Sequence, residues 1–326
     1  MKTKMHFFGM ATAIALFCGF QGTAVAQNFP EKPVRIIVPF PSGGAYDVLA
    51  RAIGQKLSES MGQQVLADNR PGGNTIIGTE LAAKSAPDGY TLLMVGVQSF
   101  AIVPSLFKKL PYDTVKDFAP ISFVGYSPLI LVVYAGLPVK SVKELIDLAK
   151  SKPGKLNFAS SGIGGSTHLA GELFKSMTGV DIVHVSYKGS TPALTDLLGG
   201  QVDLMFDSMV SALPHVKSGK LRALAITSDK RSSAAPDVPT VAEAGVPGFK
   251  VDPWFGVVAP AGTPKEIVTK LNIAINKSLQ LQDVKNQLYR LGVEPVGTTP
   301  DEFALKIKSE IEKWSKVVKE ANVKVD

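Results

Sequence analysis

From Val34 onward, short runs of consecutive apolar residues alternate with longer stretches in which apolar residues recur at helical spacing. The pattern predicts a strand over 35–38, a helix over 45–60, a strand at 65–66, a helix over 75–84 and a strand over 91–95. A second set repeats the scheme, with helices over 142–150, 167–177 and 192–198 and strands over 156–159, 182–185, 202–206 and 221–226. Runs that are apolar at every position imply parallel sheets covered on both faces. Strand and helix in alternation imply α/β units.

Helix starts are marked by Ser141-x-x-Glu144, Thr240-x-x-Glu243, Thr263-Pro264-x-Glu266 and Thr299-Pro300-x-Glu302, each of which fits a capping box. A final helix carries Phe303, Ile307, Ile311, Trp314 and Val318 on one stripe, which is a docking face. No Gly/Ser linker separates the two sets. The long apolar run 121–133 passes from one lobe to the other, and a return falls near 225–228. The expected organisation is therefore α/β in two lobes: 27–125 as the first part of lobe 1, 126–227 as lobe 2, and 228–326 completing lobe 1. Two short crossings between compact lobes make a hinge, and small ligands bind preferentially at such an interface.

Ahead of these patterns, Lys2 and Lys4 precede an apolar run over 7–20, and Ala24-Val25-Ala26 supplies small residues. Residues 1–26 read as a secretory signal peptide cleaved after Ala26, which places the protein in the periplasm. Gln21, Gly22 and Thr23 break the run short of the roughly 20 apolar residues a membrane anchor needs. The sole cysteine, Cys18, lies in that leader behind the bulky Phe17, an unfavourable context for lipidation. The chain after it offers no disulfide, thiolate nucleophile or cysteine metal site.

At 326 residues, 45% hydrophobic and 19% charged, the composition is that of a globular protein with a sizeable core. The formal charge of +7 includes two lysines of the leader, and basic residues elsewhere are interleaved with acids, as in Lys143-Glu144 and Lys265-Glu266. That is a solvated surface, and no nucleic-acid partner is expected.

Two segments share one local design. The strand ending at Phe40 runs into Pro41-Ser42-Gly43-Gly44 before a helix; the strand ending at Ser160 runs into Ser161-Gly162-Ile163-Gly164-Gly165-Ser166-Thr167 before another. In open α/β sheets the ligand crevice lies at the carboxyl ends of strands. There a helix N-terminus presents unpaired N–H groups, and glycine lets the main chain approach an anion. One such loop from each lobe makes a site for a small anion; the alternative is a pair of tight turns, with Ser166 or Thr167 as helix cap. Gly162-x-Gly164-x-x-Thr167 lacks the third glycine of a dinucleotide fingerprint, and neither loop ends in the Lys-Ser/Thr of a triphosphate loop, so no cofactor is expected.

The histidines beyond the leader, His168, His184 and His215, have no metal-like spacing. His168 stands apart because it falls in the first helical turn after the second loop. Asp207, after the strand 202–206, either accepts a ligand amine or hydroxyl or serves as a turn residue. A hydrolase would need a nucleophile beside a base; there is no Gly-x-Ser-x-Gly elbow and no HExxH, and a Ser166/His184/Asp207 triad has no support from spacing. No enzymatic activity is expected.

The segment Pro33-Val34-Arg35-Ile36-Ile37-Val38-Pro39-Phe40-Pro41-Ser42-Gly43-Gly44, continuing to Asp47, Ala50 and Arg51, resembles the Bug-type extracytoplasmic receptors, the solute-binding proteins of tripartite tricarboxylate transporters. Further matches follow in order: Asn69-Arg70-Pro71-Gly72-Gly73-Asn74, Pro87-Asp88-Gly89-Tyr90-Thr91-Leu92, the loop and helix 160–172, Tyr187-Lys188-Gly189, Trp254-Phe255-Gly256 and Ala259-Pro260-Ala261-Gly262-Thr263-Pro264. The resemblance implies a type II, Venus-flytrap periplasmic binding fold, with a parallel-rich sheet in each lobe and two crossover strands as hinge. It also implies closure on a small carboxylate, such as a di- or tricarboxylate, an acidic amino acid or an aromatic acid, held by backbone N–H groups, hydroxyls and ordered waters.

Carried over on the matching residues, ligand contact falls on Phe40, Pro41, Ser42, Gly43 and Gly44, on Ser160, Ser161, Gly164, Ser166 and Thr167, and on Lys188 and Gly189, with His168 and Asp207 as further candidates. Asp47, acidic near a helix start, is expected to organise the first loop. Tyr46 replaces the small hydroxylated residue of many relatives and either stacks on a ring-bearing ligand or narrows the pocket. Gln98 and Ser99 occupy a variable stretch that sets selectivity. The implied partners are a small carboxylate and integral membrane transporter components, with the receptor a monomer; the alternative is a ligand sensor feeding a signalling system.

Overall fold

The computed structural model describes residues 29–320 except 108 and 291; the expected leader lies outside them. The first lobe opens with β1 (Val34–Val38), α1 (Ala45–Met61), β2 (Val65–Asn69), α2 (Ile76–Ala83) and β3 (Thr91–Gly96). A π-helical turn (Gln98–Ile102) and the short α3 (Val103–Leu106) lead to β4 (Phe118–Tyr126). The second lobe runs β5 (Leu129–Tyr134), α4 (Val142–Ser151), β6 (Asn157–Ser160), α5 (Ser166–Thr178), β7 (Val183–Ser186), α6 (Ser190–Leu198), β8 (Leu204–Ser208), α7 (Met209–Lys217) and β9 (Leu221–Ile226). The chain then returns through β10 (Trp254–Pro260), α8 (Lys265–Gln280), α9 (Gln282–Arg290), β11 (Glu294–Pro295) and α10 (Pro300–Glu320).

Two mixed sheets result, ordered β11-β4-β10-β3-β1-β2 and β7-β6-β8-β5-β9. β2, β1 and β3 are mutually parallel, as are β7, β6 and β8, while β10 and β5 run antiparallel to their neighbours. The continuous apolar runs have a direct cause. Ile36 and Val38 face α1 and α8, packing with Leu49, Ile53 and Leu271, whereas Ile37 between them belongs to the core on the opposite face.

The apolar run 121–133 divides into β4 and β5, one in each sheet, with the crossing at Ser127 and Pro128. A second crossing lies beside it. Ser127 N–H donates to Pro253 O (2.8 Å), and Thr227 pairs with Leu129 on one side and Val251 on the other. The stretch between β9 and β10, assigned from sequence to lobe 1, touches both lobes: Ser233 Oγ donates to Glu294 of β11, while other parts of it pack on the second sheet. Val241 N–H donates to Ile226 O, and Phe249 packs on Phe206 and Phe174. Val251 N–H still donates to Thr227 O beside the second sheet, and Trp254 opens β10 of the first.

The helix markers divide as well. Thr299 and Glu302 close a reciprocal box at the start of α10, but at Thr263 the hydroxyl donates to Pro260 O and leaves Pro264 as the cap of α8. Thr240 and Glu243 close their box on a turn alone. α7 is unannounced in the sequence because Pro214 sits inside it. The stripe of α10 docks as expected: Phe303, Ile307, Trp314 and Val318 are buried, and Glu310 Oε2 accepts from both indoles, Trp254 and Trp314, at 3.1 Å.

Gly171 of α5 faces Phe158 so closely that a Cβ would lie 2.2 Å from its ring. Gly171→Ala is expected to destabilise the fold by about 1–3 kcal/mol through overpacking, which urea unfolding would read as a lower midpoint with an unchanged slope.

Candidate ligand site

The carboxyl ends of β1, β3, β6, β7 and β8 carry the candidate residues. α1 starts on Gly44 and α5 on Gly165; both N-caps are extended glycines, and neither helix has a side-chain cap. Ser166 and Thr167 are thus the first helical residues and do not cap. The first-turn N–H groups of each helix and the positive end of its dipole lie directly after the loops that follow β1 and β6.

Each cap is preceded by a left-handed glycine, Gly43 (φ 83°) and Gly164 (φ 74°), and each has its N–H taken internally. Gly43 donates to Asp47 Oδ2 (2.9 Å), and Gly164 donates to His168 Nδ1 (3.0 Å). The N–H groups of these two glycines are therefore not open to a ligand; the glycines shape the loops. In both loops the acceptor stands four residues on, in the first helical turn.

Around the first loop the tie extends further. Arg51 lies 2.9 Å from Asp47 Oδ1 and donates to Asn69 Oδ1, whose amide donates to Phe40 O. Burial works to raise the Asp47 pKa, but Arg51, the Gly43 N–H and Asn69 outweigh it and hold the carboxyl below its ordinary value. Arg51 and Asn69 fall within the matched motifs with no role readable there; their joint hold on the loop depends on β1 pairing β2, which no local spacing reveals. Pro41, Ser42, Gly43 and Gly44 are exposed. Tyr46 stacks on Phe40 (3.8 Å, 10°), and its hydroxyl occupies the place a Cβ would take at Gly96, so one face of its ring is already covered by the protein. Burial pushes its phenol pKa up.

In the second loop, Ser160 is fully buried, and its Oγ lies 2.7 Å from His184 Nε2. Thr167 Oγ1 accepts from Ser161 N–H and pairs with Ser161 Oγ. The 187–189 turn lies alongside, Tyr187 N–H donating to Ser160 O and Gly189 N–H to Ser161 O, with Lys188 exposed. His168 and His184, far apart in sequence, stack at 3.9 Å, because the parallel pairing of β6 and β7 sets His184 opposite Phe158. Burial, then the neighbouring His184 and Lys175, lowers the His168 pKa to about 3; burial and Lys175 lower that of His184 to about 4.

Asp207 is fully buried, its Oδ1 accepting from Ser190 Oγ (2.7 Å) and its Oδ2 without a hydrogen-bond partner among the described residues. Ser99 is also fully buried, its hydroxyl bonded to the N–H and C=O of Gly96, so it shapes the end of β3. His184 is engaged by Ser160 and Asp207 by Ser190, so the imagined Ser166/His184/Asp207 relay is not assembled.

Lobe 1 meets the second loop directly. A Cβ at Gly164 would lie 2.4 Å from Leu106 Cδ1 of α3, and one at Gly165 3.9 Å from Gln98 Oε1. Two hollows lie elsewhere: about 340 Å³ behind the hinge, with Lys250, Asp252, Trp254 and Lys313, and about 460 Å³ beside Met177 and Pro247. Both hollows carry lysines, but in the first Lys250 is paired with Asp229 and Asp252 and Lys306 with Glu310, whereas the two uncapped helix starts at strand ends present backbone N–H groups without a carboxylate capping them.

Comparison with known proteins agrees with this architecture. Protein BugT of Bordetella pertussis is 42% identical over 325 residues, covering 98% of this chain and all of the relative. An R. palustris protein solved with adipate superposes with a TM-score of 0.85 at 40% identity, over 91% of this chain and 99% of that one. MatC of Rhodopseudomonas palustris, solved with malate, gives 0.79 at 36%, over 89% and 100%. Residues 49–323 match the family described as Tripartite tricarboxylate transporter family receptor (TctC), and the chain belongs to that family of solute-binding receptors.

Proposed function

We propose that this protein is a monomeric periplasmic receptor that captures a small carboxylate between its two glycine loops, without chemistry on it, and delivers it to the integral membrane components of a tripartite tricarboxylate-type transporter. The carrying observation is the matched pair of helix starts with glycine caps and no side-chain cap. With Gly43 and Gly164 tethered, the groups left for a carboxylate are the first-turn N–H groups of α1 and α5, the exposed Ser42, the half-buried Ser166 and Ser161, and Gln98 at the lobe boundary. The relatives solved with adipate and malate support a dicarboxylate as the first ligand to try.

A thermal-shift screen of residues 27–326 against di- and tricarboxylates, acidic amino acids, aromatic acids and neutral sugars tests this. A ligand at a hundred times its Kd adds about 2.7 kcal/mol, several degrees of Tm. The expected result is a shift with one class of acid and none with sugars. A shift with sugars alone, or none with any acid from protein shown by mass spectrometry to carry no co-purified acid, would overturn the reading. Deleting the gene should abolish uptake of that acid; loss only of ligand-dependent gene induction would favour the sensor alternative.

A further inference from the structure

We infer that His168, stacked on His184, is the positioning residue of the second loop, accepting the Gly164 N–H as Asp47 accepts the Gly43 N–H in the first. The inference rests on the reading of these loops as the ligand's seat. The two loops are built alike around different chemistry. Each has a left-handed glycine, an extended glycine cap and, at the third helical residue, a side chain that reaches back to the first glycine. In lobe 1 that acceptor is a carboxylate paired with Arg51. In lobe 2 it is an imidazole nitrogen, which accepts only while bare.

The surroundings keep it bare. His184 of β7 lies against one face of the ring, and Ser160 of β6 holds His184 in turn. From α5 itself, Glu172 Oε1 stands 3.7 Å from His168 Nε2 and is engaged by Lys175 at 3.0 Å. Glu172, the carboxylate near the ring among the described residues, is thus already paired with an ammonium, and the stacked ring is a second imidazole, so a proton on His168 gains no free counter-charge. With Nδ1 committed to Gly164, the ring carries its proton on Nε2, on the Glu172 side. His168, expected from sequence to touch the ligand, instead sets the loop that does.

Two substitutions separate the acceptor from the ring. His168→Phe keeps an aromatic ring on His184 and removes the acceptor; His168→Asn sets a carbonyl oxygen near the place of Nδ1 and removes the ring. Amide hydrogen exchange at Gly164 in the ligand-free protein should quicken at least tenfold in H168F and stay near wild type in H168N, with both variants folded by circular dichroism. Nitrogen NMR should show His168 Nδ1 unprotonated from pH 7.5 to 5.5. Equal Gly164 protection in all three proteins, equal loss in both variants, or a protonated Nδ1 would overturn the assignment. Calorimetry with adipate and malate adds a separate reading: H168F should bind the acid at least tenfold more weakly and H168N close to wild type. Failure of the wild type to bind either acid would count against the ligand and leave the exchange result to judge His168.

Discussion

Gly164→Val should weaken carboxylate binding about 100-fold or more, a loss of roughly 2.7 kcal/mol, in a protein that still unfolds cooperatively. Two effects combine at this position. A β-branched residue is forced into a left-handed backbone (φ 74°), and its Cβ meets Leu106 from the other lobe at 2.4 Å. Leu106 must turn its side chain away or the loop must shift, and the left-handed strain at the loop acts on the first turn of α5 in either case. Gly43→Val is the graded control, since its backbone is equally left-handed (φ 83°) but open space surrounds the added Cβ. Strain alone operates there, and about a tenfold loss is expected. Titration calorimetry with the acid identified by thermal shift measures both. Unchanged affinity in the two variants would remove these loops from the site.

Much of this arrangement is legible without coordinates, because the relevant signals are local. The apolar runs of β1 and β6, the glycines that follow and the amphipathic stretches of α1 and α5 lie within a few residues of each other, and strand–loop–helix order places them at a crevice. What stays hidden depends on pairing at a distance. The stack of His168 on His184 requires β6 beside β7, and the Arg51–Asn69 tie requires β1 beside β2. The place of the return crossing is hidden for a related reason. Strand β9 ends where a crossing is due, yet Phe249 finds its apolar partners, Phe174 and Phe206, in the second lobe while Ser233 bonds Glu294 of the first. Ser99, read from sequence as part of a stretch that sets selectivity, has its hydroxyl bonded to the N–H and C=O of Gly96, a tie made by the tight turn after β3 that no spacing reveals. Serines and glycines mark where a site is; which of their polar groups remain free is decided by side chains several residues on.

Asp207→Asn should stabilise the protein at pH 7.5 by up to about 3 kcal/mol and turn a nearly flat response to mild acid into a loss. The wild-type carboxyl is buried with one oxygen satisfied by Ser190 and the other without a hydrogen-bond partner among the described residues; burial pushes its pKa up to about 6, against the pull of Ser190 and the Ser208 N–H. A carboxyl whose folded pKa lies above its unfolded value of 3.8 favours the fold most when protonated, and that contribution is lost as pH rises through 6. The rise from 3.8 to about 6 sets the ceiling of about 3 kcal/mol. Asp252, also raised to about 6 by burial, acts in the same direction. His168 and His184 act in the opposite one: both are held neutral in the fold, so their contribution is present above the unfolded value of 6.5 and is lost as pH falls toward 4. Between pH 6 and 4 the folded state holds protons on two aspartates while the unfolded state holds them on two histidines. The proton counts nearly match, and wild-type stability should be close to flat, with acid loss steepening below about pH 4.5 as depressed carboxylates such as Asp47 protonate. Removing Asp207 leaves one histidine uncompensated, so D207N should lose about 1.4 kcal/mol per pH unit across that window, while H168N should tilt the other way. Urea unfolding at pH 7.5, 6, 5 and 4 reads all three proteins. If D207N and wild type run parallel, the Asp207 carboxylate is solvated or paired in solution, and the unpartnered oxygen is not a property of the folded chain.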